Sequence, residues 1–340
     1  MSRLFMTGLE MGAIPMTLVG TPDVVAANAR TGIYAMRIDA DGEGCYTNLG
    51  ATLTEMYCRV AFRPSVAPAD FPGAIVTLAN SDGENMLMLG LVADSLTVAA
   101  FSAGGPYSWT QLDVGSTLVL NTWYVLEVRA TTPADTGGVL QMKVDGVLDI
   151  DFSGDTLGAY EPANFRLVGL GNAGLTGATY QVAAQGLYDD FAVNDTAGAV
   201  NNSWPGRGGI EALVPTGAGA TTGLTPSAGA NWDCVDEVPA SDADYVGAET
   251  VDLFDTYGLS DTVQTGGVPA VCVWLRAALA EAGAGNVATM VRASAANYTG
   301  SDLGIDTTFK YVSQIYETNP AGGVWTTAAL DGIEAGTKVR

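Results

Sequence analysis

The chain contains no histidine, only four cysteines, and 14 lysines and arginines against 37 aspartates and glutamates in 340 residues. Each shortage excludes something. Without histidine there is no Ser-His-Asp or Cys-His mechanism, and the commonest general acid–base group and neutral metal ligand are missing. Cys45, Cys58, Cys234 and Cys272 form no C-x-x-C pair, which argues against structural zinc and reads as buried free thiols of a chain made in a reducing cytoplasm. A net charge of −23 repels phosphate backbones, so no nucleic acid is expected as a partner. No window supplies the roughly 18–20 apolar residues of a membrane helix. The opening, MSRLFMTGLEMGAIPM, lacks the apolar stretch and cleavage site of a secretory leader. Release by lysis, as for a virion protein, fits an extracellular role reached without export.

What is present points to β-structure. Hydrophobic residues make up 48% of the chain and charged ones 15%, enough for a sizeable core in two domains. Residues 56–63 place Met56, Cys58, Val60 and Phe62 on one face, with Arg59 and Arg63 on the other. Residues 123–130 alternate in the same way, Tyr124, Leu126 and Val128 against Glu127 and Arg129. This period of two is that of a half-buried strand. Residues 139–152 read as a hairpin: two alternating runs meet at Asp145-Gly146, a pair suited to the positive φ angles of a type I′ turn. Further strands are expected at 86–92, 96–101, 165–170, 179–183 and 187–193. Strands at this spacing, with 43 glycines for tight turns, predict a sandwich or jelly roll.

The composition changes after about residue 200. Residues 205–231 are rich in Gly, Ala, Thr and Pro and read as a linker, or as an extended strap lying on a neighbour. Beyond it, strands are expected at 250–254, 269–278, 287–293 and 308–316. The segment 271–282 fits either a strand or a helix, and the alternation of Val271, Val273 and Leu275 favours the strand. Trp325, Leu330 and Ile333 would either anchor the strap or complete their own domain's core.

Several pieces resemble a known family. Phe5-Met6-Thr7-Gly8-Leu9-Glu10 fits an F-x-x-G-x-E opening, followed by the strand MYCRVAFR, then Trp123-Tyr124 with Glu127 and the V-D-G-V hairpin at 144–147. The run Tyr188-Asp189-Asp190-Phe191-Ala192-Val193-Asn194-Asp195 is similar to the family's closing "-DD-v-vnd-" strand. Residues 1–200 thus resemble a laminin-G-like, concanavalin-A-like jelly roll of the kind found in phage and prophage genes. W-x-C-V-D-E at 232–237 and Y-x-x-x-P…W-T-x-x-x-L-x-x-x-E-x-G-x-K-V at 316–339 resemble the C-terminal half of phage structural proteins carrying such a domain. The resemblance implies an all-β chain: a concanavalin-A-like jelly-roll sandwich over 1–204, the strap over 205–231, and a smaller C-terminal β-rich assembly domain over 232–340. It implies a non-enzymatic component of a tailed-phage virion, in head or tail, packing against copies of itself and other particle proteins. The alternative is a carbohydrate-binding adsorption module for host surface glycans.

Candidate sites follow from both readings. Asp189 and Asp190 are the most suggestive acidic pair. No cofactor is required, and calcium, which takes six to eight oxygens, is the one metal they leave open. Successive strand residues face opposite sides, so only one of the two can reach a site unless the strand is bulged, and the structural reading is preferred. Asn80 to Asn85 is rich in oxygen ligands but reads as a turn. No E-x-D-x-x-E strand pairs carboxylates for glycoside hydrolysis, and Asp145, Asp149 and Asp151 read as a solvated hairpin face. A glycan platform would draw on Tyr107, Trp109, Tyr160 and Trp204, though such rings also bury well between subunits.

Overall fold

The computed structural model describes residues 2–104, 108–158, 163–173 and 182–340. The chain divides into two compact units, Met1–Ile210 and Glu211–Arg340, and among the described residues their strands pair antiparallel except for Val182–Ala183, which lies parallel to Gly73–Ala74. The strands of the first unit are β1 (Arg3–Thr7), β2 (Thr17–Val19), β3 (Asp23–Val25), β4 (Ala35–Ile38), β5 (Gly44–Leu53), β6 (Glu55–Pro64), β7 (Gly73–Ala79), β8 (Asn85–Leu91), β9 (Thr97–Ala103), β10 (Trp109–Thr117), β11 (Tyr124–Thr131), β12 (Gly138–Val144), β13 (Val147–Gly154), β14 (Phe165–Gly171), β15 (Val182–Ala183) and β16 (Gly186–Asn194). They form two sheets, one ordered β13-β12-β11-β6-β16-β4-β3 with β1 on β16, the other β10-β9-β8-β7-β14-β5-β2 with β15 on β7. Strands far apart in sequence are neighbours in both, as a jelly roll requires.

The alternation read from the sequence builds the core. Cys58, Val60 and Phe62 of β6, Leu126 and Val128 of β11, and Leu140, Met142 and Ile150 of the hairpin meet Ile75, Leu78, Leu87 and Leu89 of the facing sheet. The hairpin turn is the expected one: Asp145 has φ +50° and Gly146 φ +83°. Asp149 falls at a register shift between Met142 and Lys143, and its carboxylate accepts from the Ser116 backbone N–H at 2.7 Å and the Ser116 hydroxyl at 2.6 Å. Asp145 accepts from the Val125 N–H at 3.0 Å, and Asp151 from Gln141 at 2.5 Å. These carboxylates therefore tie strands together rather than simply facing solvent. The Asn80 loop is a turn: its side-chain oxygen accepts from the backbone N–H groups of Asp82 and Glu84 at 2.9 and 3.0 Å.

The second unit contains β17 (Pro215–Thr222), β18 (Thr225–Pro226), a 3₁₀ turn at Asn231–Cys234, β19 (Val246–Gly247), β20 (Phe254–Leu259), β21 (Val271–Ala277), β22 (Gly285–Ala293), β23 (Ala296–Thr299), β24 (Leu303–Ile305), β25 (Lys310–Tyr316), the short helix α1 (Thr327–Leu330) and β26 (Glu334–Val339). Its main sheet runs β17-β20-β26-β22-β23, with β24 on β22, and β21 pairs with β25 as a separate ribbon. Residues 271–277 are thus strand, as the β-branched alternation favours. Trp325, Leu330 and Ile333 pack with Val273, Val291 and Ala293, so they complete their own unit's core.

Two boundaries differ from the sequence reading. The strand expected at 250–254 begins only at Phe254. Residues 205–231 are not one strap: the division between units falls after Ile210, and 215–222 form β17, paired with β20. The alternating Gly and Ala of β17 leave little side chain to signal a strand, but its backbone groups still join the ladder. Of the strand expected at 179–183, only 182 and 183 lie within the described residues.

Candidate functional site

The outer face of the β6–β16 sheet, turned away from the core, carries a group of buried charges, Arg59, Glu127, Asp189 and Asp190. Arg59 of β6 stands opposite Glu127 of β11 in register, and each is only 2% exposed. Alternation alone would leave both in water. They are buried because residues 203–210 run across this face. Glu127 accepts from the Gly206 N–H at 2.7 Å, and Arg59 donates to the Gly206 carbonyl at 3.2 Å and the Asp190 carbonyl at 2.9 Å.

Asp189 and Asp190 sit at the centre of this arrangement. The β16–β6 register shifts between Asp189 and Ala192, and Asp190 adopts φ +52°. The strand is therefore bulged, the condition under which both carboxylates reach one site. Asp190, fully buried, accepts from the Arg30 guanidinium at 2.5 Å, the Thr31 hydroxyl at 2.7 Å and the Ile210 N–H at 2.5 Å. Asp189 accepts from the N–H groups of Arg30, Thr31 and Asp190 at 2.9, 3.3 and 2.7 Å. Burial, and then the charge of Asp190, push the Asp189 carboxyl up to about 8. Charge bookkeeping agrees in direction: the arginines Arg30 and Arg59 face three carboxylates, so one bound proton neutralises the group.

Glu10, of the F-x-x-G-x-E opening, completes the set by accepting from the Ile33 and Tyr34 N–H groups at 2.7 and 3.3 Å. Gly32 allows this contact. It has φ +61°, and a Cβ there would lie 2.2 Å from the Glu10 carboxyl carbon. The two ends of the family-like pattern thus meet: β1 pairs with β16, the Phe5 and Phe191 rings lie 5.7 Å apart, and the acidic residues at both ends pin one loop, 30–34.

This donor set does not fit calcium. The oxygens of Asp189 and Asp190 are met by N–H groups, a hydroxyl and a guanidinium, whereas the ion needs an all-oxygen shell. Among the described residues no group of three or more Asp, Glu or Cys is arranged to hold a metal ion.

Of the four aromatics expected to form a glycan platform, Tyr107 and Tyr160 lie outside the described residues. Trp109, at the start of β10, packs against the buried patch of Ala74, Met88, Ala99 and Phe101. Trp204 anchors the covering segment. Its ring meets Tyr57 edge-on at 5.5 Å and has the Lys143 ammonium 4.0 Å from its centroid. The two described rings thus lie against different sheets, Trp109 in β10 and Trp204 beside Tyr57 of β6.

A different feature of the same sheet was not read from the sequence. An open cleft of about 390 Å³ is lined by Val25, Ala27, Asn28, Arg37, Ile38, Asp39, Arg63, Ser65, Gly186 and Leu187. Trp123 stands beside it, its indole N–H donating to the Asn28 carbonyl at 3.0 Å. Arg37 is held by Asp23 through two bonds of 3.0 and 2.7 Å. Arg63 donates its Nε to the Asn121 carbonyl at 2.9 Å. The lining comes from separate segments with no motif in common.

No family pattern matches the chain, and no curated protein matches it. Among solved structures, similar chains include an endo-β-1,4-glucuronan lyase from the fungus Trichoderma reesei, at 16% identity and TM-score 0.37 over 51% of this chain and 86% of that one. The cellulose-induced protein Cip1 is 13% identical with TM-score 0.40, over 60% of this chain and 100% of that one. The Caenorhabditis elegans galectin LEC-6 is 16% identical with TM-score 0.31, over 45% and 90%. The fold description, an all-β chain of antiparallel sandwich type, stands on the strand pairing of the chain itself.

Proposed function

We propose that the protein is a non-enzymatic structural component of a tailed-phage virion, packing against copies of itself and other particle proteins. The observation that carries this reading is the use made of the acidic residues. Asp189, Asp190, Glu127 and Glu10, the carboxylates that the fold brings together, are spent on internal ties to backbone and arginine. A catalytic pair needs at least one carboxyl facing substrate, and the chain has no histidine to replace it. The residues that resemble the phage family are the same ones that make these ties, which suits a scaffold. The test is to purify particles from an induced host carrying the gene and probe them for this chain by mass spectrometry. A stoichiometric virion band is expected; absence from particles, with the protein abundant in the lysate, refutes the reading.

One observation favours a second reading, glycan binding for adsorption: the cleft beside Trp123 joins an apolar floor to polar side chains, the usual form of a small-ligand site. Binding of the whole chain to a glycan panel tests it, and retention of no saccharide would remove it.

A further inference from the structure

We propose that the Arg63 cleft binds a carboxylated saccharide, a uronate-type ring, with Arg63 receiving the carboxylate. This rests on the glycan reading above and is independent of the virion reading. The argument starts from which polar groups lining the cleft are already used. Arg37 is neutralised by Asp23, with Asp39 3.4 Å away. Arg63 has one bond, from Nε, and among the described residues its two terminal nitrogens have no partner. The planar fork of a guanidinium matches a carboxylate through paired N–H donors. Asp39, the one carboxylate in the lining, is drawn to Arg37, which leaves the half-buried Arg63 fork beside the cleft open to an anion.

The remaining groups suit a sugar rather than a bare anion. The Asn28 amide and the Ser65 hydroxyl are likewise without partners among the described residues, and both residues are exposed. They offer donors and acceptors at the cleft, as ring hydroxyls require. Val25 and Leu187 supply apolar surface for the C–H face of a ring, and a volume of about 390 Å³ accommodates a short oligosaccharide. The net charge of −23 opposes a long polyanion at a distance, but a Debye length of about 8 Å at physiological salt confines that repulsion. A short acidic oligomer is therefore favoured over a polymer.

The test is calorimetric titration of the full chain with trigalacturonate, with the neutral galactose trimer, and with inorganic phosphate. Trigalacturonate is expected to bind at least tenfold more tightly than either. Arg63→Gln is expected to erase that preference, Arg63→Lys to restore only part of it because the fork is lost, and Ser65→Ala to weaken binding a few-fold without changing the preference. Ser65 is exposed and carries no buried bond, so that variant is expected to fold. Equal binding of acidic and neutral trimers overturns the inference while leaving glycan binding standing. Equal binding of phosphate and trigalacturonate overturns it in favour of a simple anion site. Binding of none overturns the inference, and retention of no saccharide on the glycan panel as well removes the glycan reading.

Discussion

Replacing Asp190 with alanine should loosen the whole outer face of the first unit. The carboxylate is fully buried, and its partner Arg30 is 21% exposed at the side chain. Removing it leaves the Arg30 guanidinium, the Thr31 hydroxyl and the Ile210 N–H without their acceptor. Breaking a buried pair by deleting one partner costs about 3–5 kcal/mol. For a unit of this size each kcal/mol lowers the midpoint by roughly 2–4 °C, so a fall of about 6–20 °C is expected. Differential scanning calorimetry of the full chain reads it. Asp255→Ala is the control: Asp255 is buried in the second unit and accepts from the Gly223 and Leu224 N–H groups, so it should shift a separate transition. Trypsin provides a second readout. Arg30 donates to the Arg207 and Gly208 carbonyls, so cleavage after Arg207 should accelerate at least tenfold in the variant. A midpoint change below about 3 °C together with an unchanged cleavage rate would refute the account of Asp190 as the central tie.

Three further outcomes are expected. Asp189 has a folded-state pKa raised above the unfolded value of about 3.9, so the folded chain binds the extra proton. Its contribution favours folding at the acid end and is lost as pH rises towards about 8. Asp189→Asn should flatten the dependence of urea midpoints on pH across that window, even though it lowers stability throughout by removing an acceptor. Gly32→Ala should destabilise the first unit by about 1–3 kcal/mol, because it combines a left-handed backbone with a collision at Glu10; chemical denaturation measures this. Burial pushes the Cys45, Cys58 and Cys272 thiols up to about 12, so Ellman's reagent should label them slowly in the native protein, whereas all four cysteines should react in guanidinium.

The hairpin at 139–152 could be read from the sequence because local signals agree there: alternation on both arms and a turn pair that accepts positive φ. The burial of Arg59 and Glu127 could not, because the pattern that marks a solvated face is identical whether or not another segment later covers it. Their opposite charges at one cross-strand register were the available hint. The reach of Asp189 and Asp190 to one place depends on a bulge, which strict alternation excludes. Residues 205–210 looked like linker for lack of large side chains, yet they are held by backbone groups, which carry no compositional signature. The cleft draws on residues from 25 to 187, so only the folded sheet assembles it.

The ties between the bulge and residues 206–210 also bear on how such a gene can be cut and rejoined. A recombination junction placed at the change in composition near residue 200 would hand the first unit a foreign continuation. Asp190, Arg59 and Glu127 would then face a segment not selected to receive them, and each would carry the cost of a buried charge without its partner. Exchange of the jelly roll as a module is tolerable only if the crossover falls beyond Ile210, where the first compact unit ends. Chimeras joined at 211 should therefore express as soluble protein where those joined at 200 do not.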